Sequence, residues 1–339
     1  MPATESLSLD AVSILSIWTA IAIYALAFVA YAFDLARRSA DAATAKDAAQ
    51  VAERELVGAS VGGSSARPAA SGASASGPTR RPRQVWARIG TSLTVLAFLF
   101  HLVATVLRGI EAERVPWSNM YEFAMTGTLL IMAVYLGVLF RYDLRFLGTF
   151  VTGLIVVLLA GVMLGGLYVE VVPLMDPLKS VWLVIHVFVA SLATAFFALA
   201  FALSVLQLLQ ARREANAVAD AEAGRDRMRF LRTLPTAESL ESLAYRFAII
   251  GFIFWTFTLI AGSIWAQDAW GRYWGFDTKE VWTFVIWVLY AGYIHARATR
   301  GWRGNRSAWL SIIGFAAVMF NFTVVNIFFK GLHSYSGLN

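Results

Sequence analysis

The sequence predicts an all-α fold, a polytopic transmembrane helical bundle of about eight spans. Of its 339 residues, 58% are hydrophobic and only 15% charged, whereas soluble chains are roughly half apolar and about a quarter charged. The apolar residues lie in long blocks, and the mean hydropathy is +0.63. Together these observations exclude a soluble globular domain. The absence of cysteine also excludes disulfides, thiolate metal sites and thiol redox chemistry within the chain.

Eight segments are long and apolar enough to span a bilayer, which takes about 20 residues at ~1.5 Å per residue. They cover residues 11–33, 86–107, 120–140, 146–168, 181–209, 244–265, 280–296 and 307–329. The first is not a typical secretory signal, because Glu5 and Asp10 precede it and Arg37 and Arg38 follow it. We therefore predict a retained first span.

The basic residues indicate the orientation of the bundle. Loops 34–84, 141–145, 210–243 and 297–306 together hold 20 of the 28 Lys and Arg residues. Since basic loops stay on the cytoplasmic side, both termini are predicted to lie outside. The net charge of +6 then reflects topology and the lipid bilayer, and no nucleic-acid partner is expected.

Three regions follow from this pattern. Residues 1–33 form the first transmembrane span, and residues 85–339 form the main bundle, with an external segment at 262–282. Residues 34–84 are predicted to be a disordered cytoplasmic linker, because 39–80 contain mostly Ala, Ser and Gly and cannot bury enough apolar surface to offset ordering. Residues 234–238 carry a helix-start signal, interpreted as a membrane-surface helix.

The four histidines all lie in or beside spans: His101, His186, His295 and His333. Ionisable groups at such depth are costly and need a partner or ligand. For any one of them, a neutral ring bonded to a neighbouring helix is an equally good interpretation. His186 lies five residues inside the outer end of its span, about 8 Å deep, and His333 lies just beyond the last span. Two imidazoles at one level can bind one metal ion from opposite sides.

The external segment 265–282 is rich in aromatic residues, with six among its eighteen positions. An interfacial aromatic belt accounts for Trp265 and Trp282, but not for the glycines and cations between them. A flat macrocycle with two carboxylates would need ring faces for stacking, glycines for clearance and cations for its propionates, and bis-histidine ligation suits its iron. The candidate binding residues in this segment are Trp265, Trp270, Arg272, Tyr273, Trp274, Phe276, Asp277, Lys279 and Trp282.

Asp277 and Glu280 have several possible roles in this segment. Either carboxyl group could donate a proton or bond the tryptophans. More commonly such groups pair with Lys279 or Arg272, or cap the following helix.

The motif Trp-Gly-x-Tyr-Trp, followed by Asp-x-Lys-Glu and then His295, resembles the tryptophan-rich "WWD" segment of haem-handling proteins for cytochrome c maturation. Two further stretches agree: Pro-x-x-Asn-Met-Tyr-Glu at 116–122 and Gly-Leu-His-Ser-Tyr at 331–335. From residue 86 onward the chain is similar to the CcsA/ResC family of System II haem lyase subunits. It departs from the common pattern at Phe276, where tryptophan is usual, and at Thr278, where proline is usual.

The resemblance implies haem b as both ligand and substrate, with His186 and His333 as axial ligands on the outer face. It assigns His295 to an intramembrane haem iron, whose second ligand is attributed to a companion subunit of the ResB (CcsB) type. His101 is the weaker candidate for that second ligand, because it lies 13 residues from Arg88, about 20 Å from the cytoplasmic side to which His295 is close. Otherwise His101 has a hydrogen-bonded or gating role.

By this resemblance the chain delivers haem to an apocytochrome c with a Cys-x-x-Cys-His motif, on the outer face of a bacterial cytoplasmic membrane, as a subunit of a holocytochrome c synthase. A thiol-reducing thioredoxin-like protein is a further expected partner. Two alternatives remain open. One is a bis-histidine cytochrome b for electron transfer. The other is a haem-free small-molecule transporter. Transporters of this kind often have broken helices near the middle of the membrane, and in this sequence only the glycines at 161, 165 and 166 indicate such a break.

Overall fold

A computed structural model describes residues 8–61, 85–174, 176–222, 228, 231–299, 301–329 and 331–333. These parts of the chain contain nine α-helices, two short 3₁₀ turns and no β-strand. The helices are α1 (Leu9–Val61), α2 (Val85–Glu111), α3 (Met120–Leu139), α4 (Gly148–Leu164), α5 (Val181–Glu222), α6 (Ala237–Trp270), α7 (Thr278–Ala298), α8 (Asn305–Phe322) and α9 (Val324–Phe328). The predicted all-α bundle is thus confirmed.

Seven of the described helices are long and apolar enough to cross a membrane, and together they make a polytopic membrane bundle. The predicted seventh span, now α7, has a sufficient length of 21 residues but is less apolar. It carries Lys279 and Glu280 at its start and His295 and Arg297 at its end. The placement of both termini outside remains a prediction.

Two segments differ from their predicted form. The linker was predicted to begin at residue 34, yet α1 continues to Val61, so residues 34–61 are helical. The physical reason is composition, because this stretch is rich in alanine, the best helix former, which needs no burial to favour a helix. Residues 62–84 of the linker lie outside the described residues. The predicted surface helix near 234–238 is the beginning of α6 itself, with Thr236 as its N-cap.

The helices pack as two groups joined through α3. Helix α1 lies against α2 and α4, while α5 packs against α6 and α8, and α7 packs between α6 and α8; α3 contacts α2, α4 and α5. Glycines permit close approach in both groups. A Cβ at Gly148 would lie 2.6 Å from the Tyr31 ring, and one at Gly251 would lie 2.7 Å from the Phe197 ring. Such small-residue contacts are the usual way that helices associate in membranes.

The antiparallel order of the helices brings His186, His333 and the aromatic segment to one end of the bundle. The carboxyl ends of α6 and α9 and the amino ends of α3, α5 and α7 meet there. The link 271–277 between α6 and α7 turns sharply, because Gly271 adopts a left-handed conformation with φ of 70° and caps α6. This geometry brings the aromatic segment next to residues 331–333.

Candidate functional site

A cavity opens at this end of the bundle. Its volume is about 220 Å³. Residues of α3, α5, α6 and α8 line it, most of them apolar, and both His186 and His333 lie in its wall. The two histidines that the sequence places at one level therefore face the same space.

His186 is held in one orientation by α6. Its Nδ1 lies 2.9 Å from the carbonyl oxygen of Thr258, and because a carbonyl only accepts, Nδ1 carries the proton and Nε2 the lone pair. The ring stacks on Trp265 with centroids 5.8 Å apart and planes 23° apart. Gly262 gives the ring its space, since a Cβ there would lie 2.7 Å from Cε1 of His186.

His333 is oriented by a carboxylate instead. Its Nδ1 donates to Oδ2 of Asp277 over 2.8 Å, and this hydrogen bond lowers the pKa of Asp277 despite the opposing effect of burial. The His333 ring meets Trp265 and Trp270 edge-on, with centroid distances of 5.4 and 4.9 Å. Trp265 therefore contacts both histidine rings.

Asp277 also ties two chain segments together. It is the N-cap of α7 and accepts from the backbone nitrogen of Lys279 at 3.2 Å. Its Oδ1 accepts from the backbone nitrogen of Leu332 at 3.0 Å, and Gly331 packs so closely that a Cβ would overlap this carboxylate. A single side chain thus fixes the start of α7 and the segment that carries His333.

Glu280 completes the capping box of α7. It accepts from the backbone nitrogens of Gly275 and Asp277 at 2.8 and 3.1 Å, and from Arg272 at 3.4 Å. Capping and pairing are therefore the roles that both carboxylates have. Thr278 occupies the first helical position of α7, a site where proline is favoured but where other residues fit as well.

The predicted binding residues divide into two sets. The cavity is lined by His186, Trp265, Tyr273, Trp274, Lys279 and His333. The others lie beside or outside it. Phe276 has a φ of 58° and is 80% exposed, Trp282 packs on Phe320 with centroids 4.4 Å apart, and Arg272 bonds Glu280.

Trp265 is buried within the site. Its side chain is only 2% exposed, and its ring contacts the rings of His186 and His333. The sequence alone does not distinguish a buried tryptophan from one in an interfacial belt, because both can lie at the end of a span.

His101 and His295 lie in different parts of the bundle. His101 is completely buried, with Nε2 bonded to the carbonyl oxygen of Met125 at 2.9 Å and its ring edge-on to Tyr24. His295 is exposed near the end of α7. Helix α2 packs on α1, α3 and α4, whereas α7 packs on α6, α8 and α9, so the two rings are carried by separate groups of helices.

Several polar and aromatic residues of the cavity are not among the site residues predicted from the sequence. Trp117, Ser118 and Asn119 line it from the segment before α3, and Asn326 lines it from α9, where its Oδ1 accepts from Nζ of Lys279. The available signal was the motif at 116–122, which stands directly before a span on the same side as the aromatic segment.

Comparison with known proteins shows the family of this chain. The sequence profile of a family described as cytochrome c assembly protein matches residues 86–333. The chain belongs to the cytochrome c assembly protein family. The match covers both histidines of the cavity and the whole aromatic segment.

Among the relatives of this family member are proteins named cytochrome c biogenesis protein CcsA. That of Guillardia theta is 34% identical over 262 residues, covering 74% of this chain and 86% of the relative. That of Synechococcus elongatus is 32% identical over 282 residues, covering 73% and 87%. The resemblance to CcsA-type proteins is therefore confirmed, and the chain is an integral membrane protein with a role in cytochrome c biogenesis.

A solved structure, cytochrome c haem lyase CcmF, shares the fold. The TM-score is 0.58 at 14% identity, over 95% of this chain and 48% of the lyase. This family member thus spans about half the length of that structure, and the likeness concerns the fold alone.

Proposed function

We propose that this protein presents haem b to apocytochrome c on the outer face of the membrane, as a subunit of a System II cytochrome c synthase. The observation that carries the proposal is the pair of histidines, His186 and His333, whose rings both contact Trp265 in the wall of one cavity. In each ring Nδ1 is bonded to an oxygen, so Nε2 is the nitrogen that would bind the iron if haem were held here, as in many histidine metal sites.

The residues of the cavity fit a porphyrin. Trp274 offers a ring face, the apolar wall suits the macrocycle, and the Lys279 side chain supplies an N–H donor for a propionate. When haem is bound, its vinyl groups supply the carbons to which the thiols of Cys-x-x-Cys-His add. This chain holds and orients the macrocycle, while Asp277 keeps His333 in a single tautomer.

His295 is proposed to serve an intramembrane haem together with a ligand from a companion subunit of the ResB (CcsB) type. It ends an exposed stripe along α7 that also contains Val281, Phe284, Val288 and Gly292. The spacing of three or four residues places all five on one helix face. A histidine on an outward face suits a ligand shared between chains, and haem b would enter near it before moving outward.

The membrane is proposed to be the bacterial cytoplasmic membrane, with the cavity on its outer side. There the apocytochrome is the substrate partner, and a thioredoxin-like protein keeps its two cysteines reduced. Both partners follow from the chemistry, because thioether formation consumes free thiols.

The test is co-expression of the complex with a reporter apocytochrome c. His186→Ala and His333→Ala should each abolish holocytochrome formation, with partial recovery on adding imidazole, because a free ring can fill the vacant axial position. The amount of each variant in the membrane is the control. Wild-type maturation in both single variants would refute the proposal.

The same experiment separates the alternatives. A cytochrome b would retain haem, and lose it on histidine substitution, without any dependence of the reporter on this gene. A haem-free transporter would show no haem spectrum in the purified complex.

A further inference from the structure

The segment 114–123 forms a second wall of the cavity. Trp117, Ser118 and Asn119 line the space, and Trp117 and Phe123 pack against the buried cluster that contains Trp265. This wall therefore packs against the same apolar cluster as Trp265, although it comes from a different part of the chain.

Asn119 has one satisfied and one unsatisfied end. Its Oδ1 accepts from the backbone nitrogen of Glu122 at 2.9 Å and so caps α3. Its Nδ2 is buried and has no hydrogen-bond partner within the described part of the chain. The residue as a whole is only 5% exposed. A buried donor without an acceptor costs free energy that an acceptor on a ligand would remove.

The position of Asn119 is fixed by a buried ionic network. Glu122 is completely buried and accepts from Arg114 at 2.6 Å and from Arg108 at 3.1 Å. The same carboxylate accepts from both the backbone nitrogen and the hydroxyl of Ser118 at 3.0 Å. Ser118 and Glu122 are thus held in place, and turning the Asn119 amide toward another partner would break its hydrogen bond to the backbone nitrogen of Glu122.

We propose that the side-chain amide of Asn119 is a binding group of the cavity, which donates an N–H to an oxygen at the edge of the bound porphyrin. A propionate carboxylate is the acceptor that this ligand offers. The inference rests on the proposed function, since it assumes that the occupant is haem. It assigns Asn119 a second role beyond capping α3.

Substitution can separate the two roles. Asn119→Asp keeps the cap, because aspartate and asparagine cap equally well, but an ionised aspartate has no donor. Asn119→Ser also keeps a capping oxygen without adding charge, and its hydroxyl is too short to replace the amide. Asn119→Ala removes the cap and the donor together. The measurements are haem per protein in the purified complex, by absorption spectrum, and the thermal midpoint.

The Ser variant should bind haem roughly tenfold more weakly on titration, the size of one charge-assisted hydrogen bond, with an unchanged midpoint. The Asp variant should bind haem more weakly still, because its carboxylate repels the propionate. The Ala variant should lose haem and also melt lower. Full haem retention in the Asp or Ser variant, with a lower midpoint in Ala alone, would show that Asn119 only caps α3 and would overturn the inference. A wild-type complex that binds no haem would instead overturn the proposed function itself.

Discussion

Gly262 provides the sharpest test of the geometry around His186. In Gly262→Ala the new Cβ would lie 2.7 Å from Cε1 and 2.9 Å from Nδ1 of that ring. Carbon contacts are normally ~3.5–4.0 Å, so the ring must retreat by roughly 0.8 Å or more. Its hydrogen bond to Thr258, now 2.9 Å, would then exceed the ~3.5 Å at which such a bond ends.

Two consequences follow for Gly262→Ala. Disturbing the group that orients a metal-binding histidine costs about 10–100-fold in affinity, so the purified complex should retain less haem and its absorption bands should shift. The control is Gly137→Ala in α3, where a Cβ meets nothing within 4 Å. That substitution should stabilise the helix by ~0.5–1 kcal/mol and leave haem unchanged. Equal haem retention in the two variants would refute the reasoning.

Three further predictions concern the rest of the site. Asp277→Asn removes the charge that orients His333 and should lower haem affinity by about 10–100-fold, as measured by haem titration. The control is Asp268→Asn on the exposed end of α6, which should leave haem affinity unchanged. In the folded protein the pKa of Asp277 is lowered below its ordinary value of 3.8. The ionised carboxylate therefore stabilises the fold fully above pH 3.8, and this stabilisation is lost as the pH falls through the lowered pKa. The difference in thermal midpoint between wild type and Asp277→Asn should shrink as the pH falls below 3.8, and a constant difference would contradict this prediction. Trp274→Ala should loosen haem without changing the protein level, whereas Trp309→Ala, on an exposed position of α8, should change neither; loss of protein with Trp274→Ala would indicate a structural role.

The spans illustrate what local pattern can predict. The predicted ends of α3 and the start of α5 agree with the structure within a residue, because an apolar run must remain helical throughout the membrane to satisfy its backbone. The linker shows where a prediction from local composition fails. Residues 34–61 have too few large apolar side chains to form a buried core, which predicted disorder. Alanine nevertheless favours a helix without burial, and α1 continues to Val61.

The site was also predicted only in part. Two histidines and an aromatic segment could be recognised in the sequence, and the two histidines and part of the segment line the cavity. Phe276 was grouped with that segment, yet its left-handed backbone turns the ring outward. Asn119 lies in the motif at 116–122, but the motif does not show that its amide nitrogen has no partner among the described residues, because that depends on how the residues around it pack.

The amino-acid sequence by itself determined the class of the protein and the approximate positions of its spans, because bilayer thickness and helical rise fix how long an apolar helix must be. Only the tertiary structure decided that His186 and His333 share Trp265, that Asp277 orients His333, and that His101 and His295 lie in separate groups of helices. Those facts depend on how helices are arranged around one another, which is set by packing between distant segments rather than by local pattern.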